Sequence, residues 1–302
     1  MKFWVGVTDK DWFDFLRRLA PDEVNFWQPS SAPLARFLEP GVPFLFKLHS
    51  PHNFVVGGGH FVRFSALPAS LAWDAFGLNN GTGSYPALVA RVSRYRRSDA
   101  IDPEIGCNIL NQPFFLDESE WIPIPETWAS NIVRGRHFDT NQQDGSRLWG
   151  AVCRALEREV PKDAVMDPPR FGTEYLTHAR LGQGAFRILV TDAYRRRCAI
   201  TGERTLPVLE AAHIRPYAED GPHLTANGLL LRSDLHTLFD RGYITVTEDL
   251  RVEVSTRIRA EFENGREYYK HHGAPLQIEP GDKNDRPAAS FLRWHNEHRY
   301  NG

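Results

Sequence analysis

Residues 198–242 read CAITGERTLPVLEAAHIRPYAEDGPHLTANGLLLRSDLHTLFDRG, and how this stretch is parsed decides the fold of the second half of the chain. VLEAAHI reads as a strand that ends in His213 and runs into a long polar loop. Asn227 then opens a second short strand or turn, and a helix begins at about Ser233. Ser233 is placed as the N-cap, with Asp234 favourable in the first turn. His236 and Asp240 are four apart and share one face of that helix. An imidazole nitrogen and a carboxylate oxygen so spaced can bind one divalent cation. A strand-borne histidine facing that cation can act as general base on water. An asparagine side chain can fix the tautomer of an imidazole or brace its loop.

Working outward, LGQGAFRILVTDAYRRRC (181–198) reads as a helix that opens at Gly184 and closes on the basic run Arg195, Arg196 and Arg197. SRLWGAVCRALEREV (146–160) has apolar residues at helical spacing and reads as an amphipathic connecting helix. It lies between the polar, aperiodic RHFDTNQQDGSR (136–147) and the break PKDAVMDPPRFG (161–172). These features predict a first domain at 1–138, a linker with a helix at 139–172 and a second domain at 173–302.

The order His213, Asn227, His236 within AAHIRP, ANGLLL and DLHTLFDRG resembles the HNH endonucleases, whose fold is a ββα unit around a metal. The resemblance continues upstream through GQGAFR, YRRRC and AITG and spans roughly 173–245. It implies that His213 is the general base. Asn227 would orient that base or stabilise the hairpin, and His236 would ligate the metal, Mg²⁺ or Mn²⁺. Asp240 matches a position one turn further on that supplies a ligand in some members. Two departures stand out. Many members place an Asp or His directly before the base, where this chain has Ala212, so Asp240 or Glu210 would have to compensate. Many also carry two CxxC pairs for zinc; here there are none, so no structural zinc is expected and flanking helices must hold the unit by packing.

The reaction so implied is phosphodiester hydrolysis that leaves a 5′-phosphate and a 3′-hydroxyl. One base and one metal make one nick, so a double-strand break needs a homodimer or sequential nicking. Arg187, Arg195, Arg196, Arg197 and Arg215 are the candidate phosphate contacts. His271, His272, His295 and His298 have no partner at metal spacing and read as solvated surface.

The first part is crowded with aromatics, and PFLFKL (43–48), NFVVGGG (53–59), HFVRFS (60–65), NILNQPFFL (108–116) and EWIPIP (120–125) read as strands. Helices are expected near 9–19 and 67–77; 85–96 fits a strand or a short helix. Gly57, Gly58 and Gly59 suit a tight bend or bulge. The early tryptophan and VVGGGHFVRF with its following helix are similar to the PUA-like group (EVE, ASCH and SRA domains), small β-barrels that hold a modified or flipped base. A base taken out of its stack needs aromatic faces and a few polar groups on its edge. Trp27, Phe46, Trp73 and Trp121 are candidate faces, and Asn25, Ser50, Asn53 or Asn80 candidate edges.

Composition bounds these readings. At 302 residues, 41% hydrophobic and 25% charged, the chain is an ordinary globular protein of about two domains. It holds no apolar run of about 18 residues for a membrane span, and Asp9, Lys10 and Asp11 break any signal-peptide pattern. Three cysteines build no disulfide framework and fit a reducing cytoplasm. A formal charge of −2 gives no general attraction to DNA, so a basic face must be local, around the arginines at 187–204. The expectation is therefore an α+β protein, a PUA-type β-barrel joined to a ββα-metal nuclease. It would be a modification-dependent restriction enzyme that recognises 5-methyl- or 5-hydroxymethylcytosine in double-stranded DNA. The alternatives are a phage-defence nuclease whose first domain senses or binds a partner, and a non-cleaving nucleic-acid binding protein with a degenerate HNH unit.

Overall fold

A computed structural model describes residues 1–34, 38–95, 100–159 and 182–302. The chain divides into two compact units, Met1–Ala179 and Arg180–Gly302. The expected break at 161–172 and the start of the second domain at 173 lie outside the described residues.

In the first unit, strand β1 (Lys2–Thr8) leads into helix α1 (Lys10–Leu19), followed by β2 (Glu23–Gln28), β3 (Pro43–Leu48) and β4 (Phe54–Pro68). Then come α2 (Ala69–Phe76), α3 (Tyr85–Tyr95), β5 (Glu104–Phe115), β6 (Ile122–Pro123), β7 (Gly135–Asp139) and α4 (Gln143–Glu159). The strands form one sheet in the order β2-β5-β4-β3-β1-β7, with β6 paired to β4. All these pairings are antiparallel except β1 with β3.

The expected closed barrel does not form: among the described residues β2 and β7 end the sheet and do not pair with each other. A helix takes the covering role instead. Leu148, Val152 and Ala155 of α4 pack on Phe3, Val5 and Phe138 from β1 and β7. A second cluster joins Trp12, Phe13 and Leu16 of α1 to Phe26, Phe44 and Phe46. The stretches read as separate strands at 53–59 and 60–65 are one long β4, whose register to β5 shifts between Gly58 and His60. The glycines there permit close strand approach as well as the bend: a Cβ on Gly57 would lie 2.3 Å from the Phe114 carbonyl oxygen.

The second unit begins with α5 (Gln183–Ala193), then the hairpin β8 (Leu209–His213) and β9 (Gly228–Arg232), then α6 (Ser233–Asp240). A second hairpin, β10 (Ile244–Val246) with β11 (Val252–Val254), is followed by α7 (Arg257–Phe262), α8 (Arg266–Tyr269) and α9 (Ala289–His298). Helix α5 ends sooner than its basic run suggests, because Arg195 and Arg196 turn to φ of 55° and 57°. The cap of α6 is Arg232, one residue before the expected Ser233, and Asp234 binds the Arg232 guanidinium at 2.6 and 2.7 Å.

One core holds this unit: Phe186 and Val190 of α5, Leu229 to Leu231 of β9, Leu235 and Phe239 of α6, and Leu292 of α9. Tyr194 is fully buried and donates its hydroxyl to the Gly228 carbonyl at 3.2 Å. His295, expected at the surface, is only 2% exposed. Its ring stacks on Phe239 at 3.7 Å, its Nε2 donates to the Phe239 carbonyl at 3.1 Å, and its Nδ1 lies 2.8 Å from the Thr245 hydroxyl.

Candidate active site

The first hairpin pairs His213 with Gly228 and Glu210 with Leu231, so it carries His213 to the loop end of the ββα unit. Asn227 is fully buried and does not reach the imidazole. Its Oδ1 accepts from the Arg215 backbone N–H at 2.9 Å, and its Nδ2 donates to the carbonyls of Arg215 and Pro222, each at 2.9 Å. The asparagine thus ties together both ends of the loop that follows His213.

That closure brings a second imidazole onto the first. His213 Nε2 lies 2.9 Å from His223 Nδ1. His213 also stacks on Phe186 at 3.8 Å, and His223 stacks on Tyr217 at 4.5 Å. Burial, then the neighbouring His223 and His236, push the His213 pKa down to about 4, so the ring is neutral near pH 7. Burial also lowers the pKa of His223.

On α6, His236 stands between two carboxylates. Its Nδ1 lies 2.6 Å from Glu210 Oε2, and its Nε2 lies 3.3 Å from Asp240 Oδ2. A proton on Nδ1 satisfies Glu210 and leaves the Nε2 lone pair facing a carboxylate oxygen. Two such lone-pair donors at that separation suit a cation shared between them, and a carboxylate on the other ring nitrogen is the usual partner of a metal-ligating histidine. Burial raises the Asp240 pKa, against the opposing pull of His236 and Arg299. Among the described residues no group of three His, Cys, Asp or Glu side chains is arranged around one metal position. The donor set therefore fits a cation held by His236 and Asp240 that keeps open positions for water and phosphate oxygens. Glu210 contacts the Nδ1 side of His236, the side away from Asp240, and Ala212 is fully buried in the core.

The arginines are differently placed. Arg215 spans the loop by donating to the Glu219 carbonyl at 2.6 Å, and its guanidinium lies 5.6 Å over the Trp294 ring. Arg195 donates to the Glu279 carbonyl at 3.3 Å, and Arg196 pairs with Asp192 at 3.7 Å. Arg197 is half-buried and Arg187 lies in α5, on the helix that supplies Phe186.

In the first unit, a cleft of about 750 Å³ opens beside β2, with Trp27, Gln28, Asp9, His49 and Tyr95 among its walls. Trp27 and Trp12 both donate their indole N–H to the Asn80 carbonyl at 3.1 Å. Asn80 is itself buried, its amide fixed by the Ala72 and Gly77 carbonyls and by Asn25. Of the candidate faces, only Trp27 lines this cleft. Phe46 is fully buried against Trp12 and Phe26, too deep to meet a base. Trp73 lies on α2, and Trp121 packs on Phe13 and Phe54 and donates to the Leu116 carbonyl. Asn53 accepts from the buried Lys47 ammonium at 2.8 Å, and the buried Asn25 donates to Asn80 Oδ1 and Cys107 while its own Oδ1 is left without a partner among the described residues. Gln28, Asp9, His49 and Tyr95 were not singled out by the sequence; each is an ordinary polar residue until β2, α1, β3 and α3 bring them to one opening. His223 gave no spacing signal either, because it meets His213 only through the loop that Asn227 closes.

Residues 198–247 match the family model described as HNH endonuclease. Residues 198–247 of the second unit thus carry an HNH endonuclease domain, and HNH endonucleases depend on a divalent metal. Among solved structures, one described as a modification dependent TagI restriction endonuclease is similar at 14% identity, covering 93% of this chain and 76% of that one with a TM-score of 0.30. No curated protein matches the chain. Among the described residues no helix is long and apolar enough to cross a membrane.

Proposed function

We propose that the chain is a cytoplasmic modification-dependent restriction endonuclease, reading a modified cytosine in double-stranded DNA with residues 1–138 and cutting with residues 173–302. The observation that carries the cutting half is the neutral His213 braced beside the His236–Asp240 pair. His213 takes a proton from the attacking water, Asn227 holds its loop, and Glu210 holds His236 in the tautomer whose Nε2 is free. A divalent cation, Mg²⁺ or Mn²⁺, bound at His236 and Asp240 would supply positive charge beside the scissile phosphate and the leaving 3′-oxygen. Arg187, Arg195, Arg196, Arg197 and Arg215 are the phosphate-contact residues of this reading, and two copies acting together would break both strands.

The cleft at Trp27 supports the reading half. An indole locked by the Asn80 carbonyl offers a rigid stacking face, and Asp9, Gln28 and His49 offer polar groups for a base edge. Three free cysteines suit the cytoplasm.

One assay tests both halves. The protein is incubated with Mg²⁺ or Mn²⁺ and matched duplexes bearing cytosine, 5-methylcytosine or 5-hydroxymethylcytosine. Cleavage of a modified duplex alone, abolished in His213→Ala, is expected. Equal cleavage of all three refutes the reader; no cleavage of any, with His213→Ala behaving as wild type, refutes the nuclease.

A further inference from the structure

Two imidazoles in contact must share out their protons, and a general base must keep a lone pair for water. His213 Nε2 and His223 Nδ1 are 2.9 Å apart, so one of these nitrogens carries hydrogen and the other accepts it. Were Nε2 of His213 the acceptor, its proton would sit on Nδ1, and a neutral ring would have no lone pair left for the attacking water. The base therefore carries its proton on Nε2, donates it to His223 Nδ1, and offers Nδ1 to water. His213 Nδ1 has no hydrogen-bond partner among the described residues, as that assignment requires.

We propose that His223 is a positioning residue of the nuclease site and its proton relay, an inference that rests on the assignment of His213 as general base. As the water oxygen bonds to phosphorus and the bond to the 3′-oxygen breaks, the water proton goes to His213 Nδ1. The proton on His213 Nε2 passes to His223 Nδ1, and the proton on His223 Nε2 is released to solvent. The leaving 3′-oxygen is protonated from solvent, so the balance closes without another reactant. The relay answers a difficulty of this site. His213 is packed flat against Phe186, where an imidazolium is poorly solvated, and no carboxylate of the described residues contacts its ring. The titratable groups that face the pair are Tyr217, stacked on His223, and His236 on α6; neither relieves a positive charge on His213. His223 is half-exposed and can pass the proton outward. The two rings also share one support, because the Asn227 amide holds Arg215, two residues after His213, and Pro222, immediately before His223.

The test is nicking of supercoiled plasmid, in saturating Mn²⁺, by wild type, His223→Ala, His223→Gln and His213→Ala. The relay requires His223→Ala to lose on the order of 10- to 100-fold in kcat with KM unchanged. Added imidazole should restore much of that loss. His223→Gln, which keeps the bulk but cannot pass a proton, should be as slow as His223→Ala. Activity of His223→Ala within about twofold of wild type overturns the proposal, and so does a loss that imidazole does not restore. If wild type and His213→Ala prove equally inert, the nuclease reading itself has failed. The hydrogen bond is then decided by ¹⁵N NMR of the histidine rings: an N–H···N coupling between His213 Nε2 and His223 Nδ1 upholds it, and its absence overturns it.

Discussion

A histidine that takes a proton from water works only while unprotonated, so on the proposed reading of His213 as general base its burial sets the pH range of the reaction. With its pKa pushed down to about 4, cleavage at saturating metal should persist as the pH falls below 6.5 and fail as it approaches 4. A pH–rate profile for nicking checks this, and an acid limb near 6.5 would contradict it. Glu210 contacts His236 Nδ1 at 2.6 Å, so on the proposed reading it sets the ring that would hold the metal. Glu210→Gln should weaken Mn²⁺ binding by about 10- to 100-fold, measured by titration calorimetry, while leaving the fold intact. In the first unit, Trp27→Ala removes a stacking face of the cleft and should abolish discrimination between modified and unmodified DNA in the duplex assay. The sequence placed His236 and Asp240 on one helix face, and the structure sets them 3.3 Å apart; the sequence also singled out Asn227, which closes the loop after His213. The contacts of His223 and Glu210 were not legible there, because each spans a loop or a strand–helix gap that only the folded hairpin closes.

At the scale of elements, the β8–β9 hairpin and α6 were readable from the apolar run at 228–231 and the switch to helical spacing after it. The requirement at Gly228 comes from packing: a Cβ there would lie 2.4 Å from Val190 Cγ2 and 3.1 Å from Phe186 Cζ. Gly228→Ala should therefore push α5 off the hairpin and cost about 1–3 kcal/mol in urea unfolding. It should also slow cleavage, because Phe186 is the surface on which His213 rests. The first sheet was read less well. Its strands were placed by alternation and turn residues, but closure depends on which distant strands pair, and nothing local encodes that β1 enters between β3 and β7. Nor does local pattern reveal that β4 runs on through its glycines as one strand.

For the whole molecule, three rings contribute to the response to acid, His295 buried and His60 and His213 half-buried. His60, in the first unit, and His213 and His295, in the second, each have a pKa lowered by burial to about 4. In the unfolded chain they titrate near 6.5, so between about pH 6.5 and 4 the unfolded state binds more protons than the folded one. Stability should be greatest above pH 6.5 and fall steadily through that window. Unfolding midpoints measured from pH 7.5 down to 4.5 should track that fall, and His295→Phe should flatten part of it if the ring is accommodated against Phe239. The second unit's acid response also bears on the site, since His213 belongs to both the core contact and the chemistry.

The candidate site residues of the second unit, Glu210, His213, His223, Asn227, His236 and Asp240, follow one another on a single uninterrupted stretch of chain. Their mutual contacts are made within that stretch, and the remainder of the unit adds the apolar backing that keeps it folded. Chemistry written so compactly in one segment is hereditarily portable. A single recombination event can move it whole to another gene, and the recipient need contribute only a greasy helix to lean on and something that brings DNA within reach.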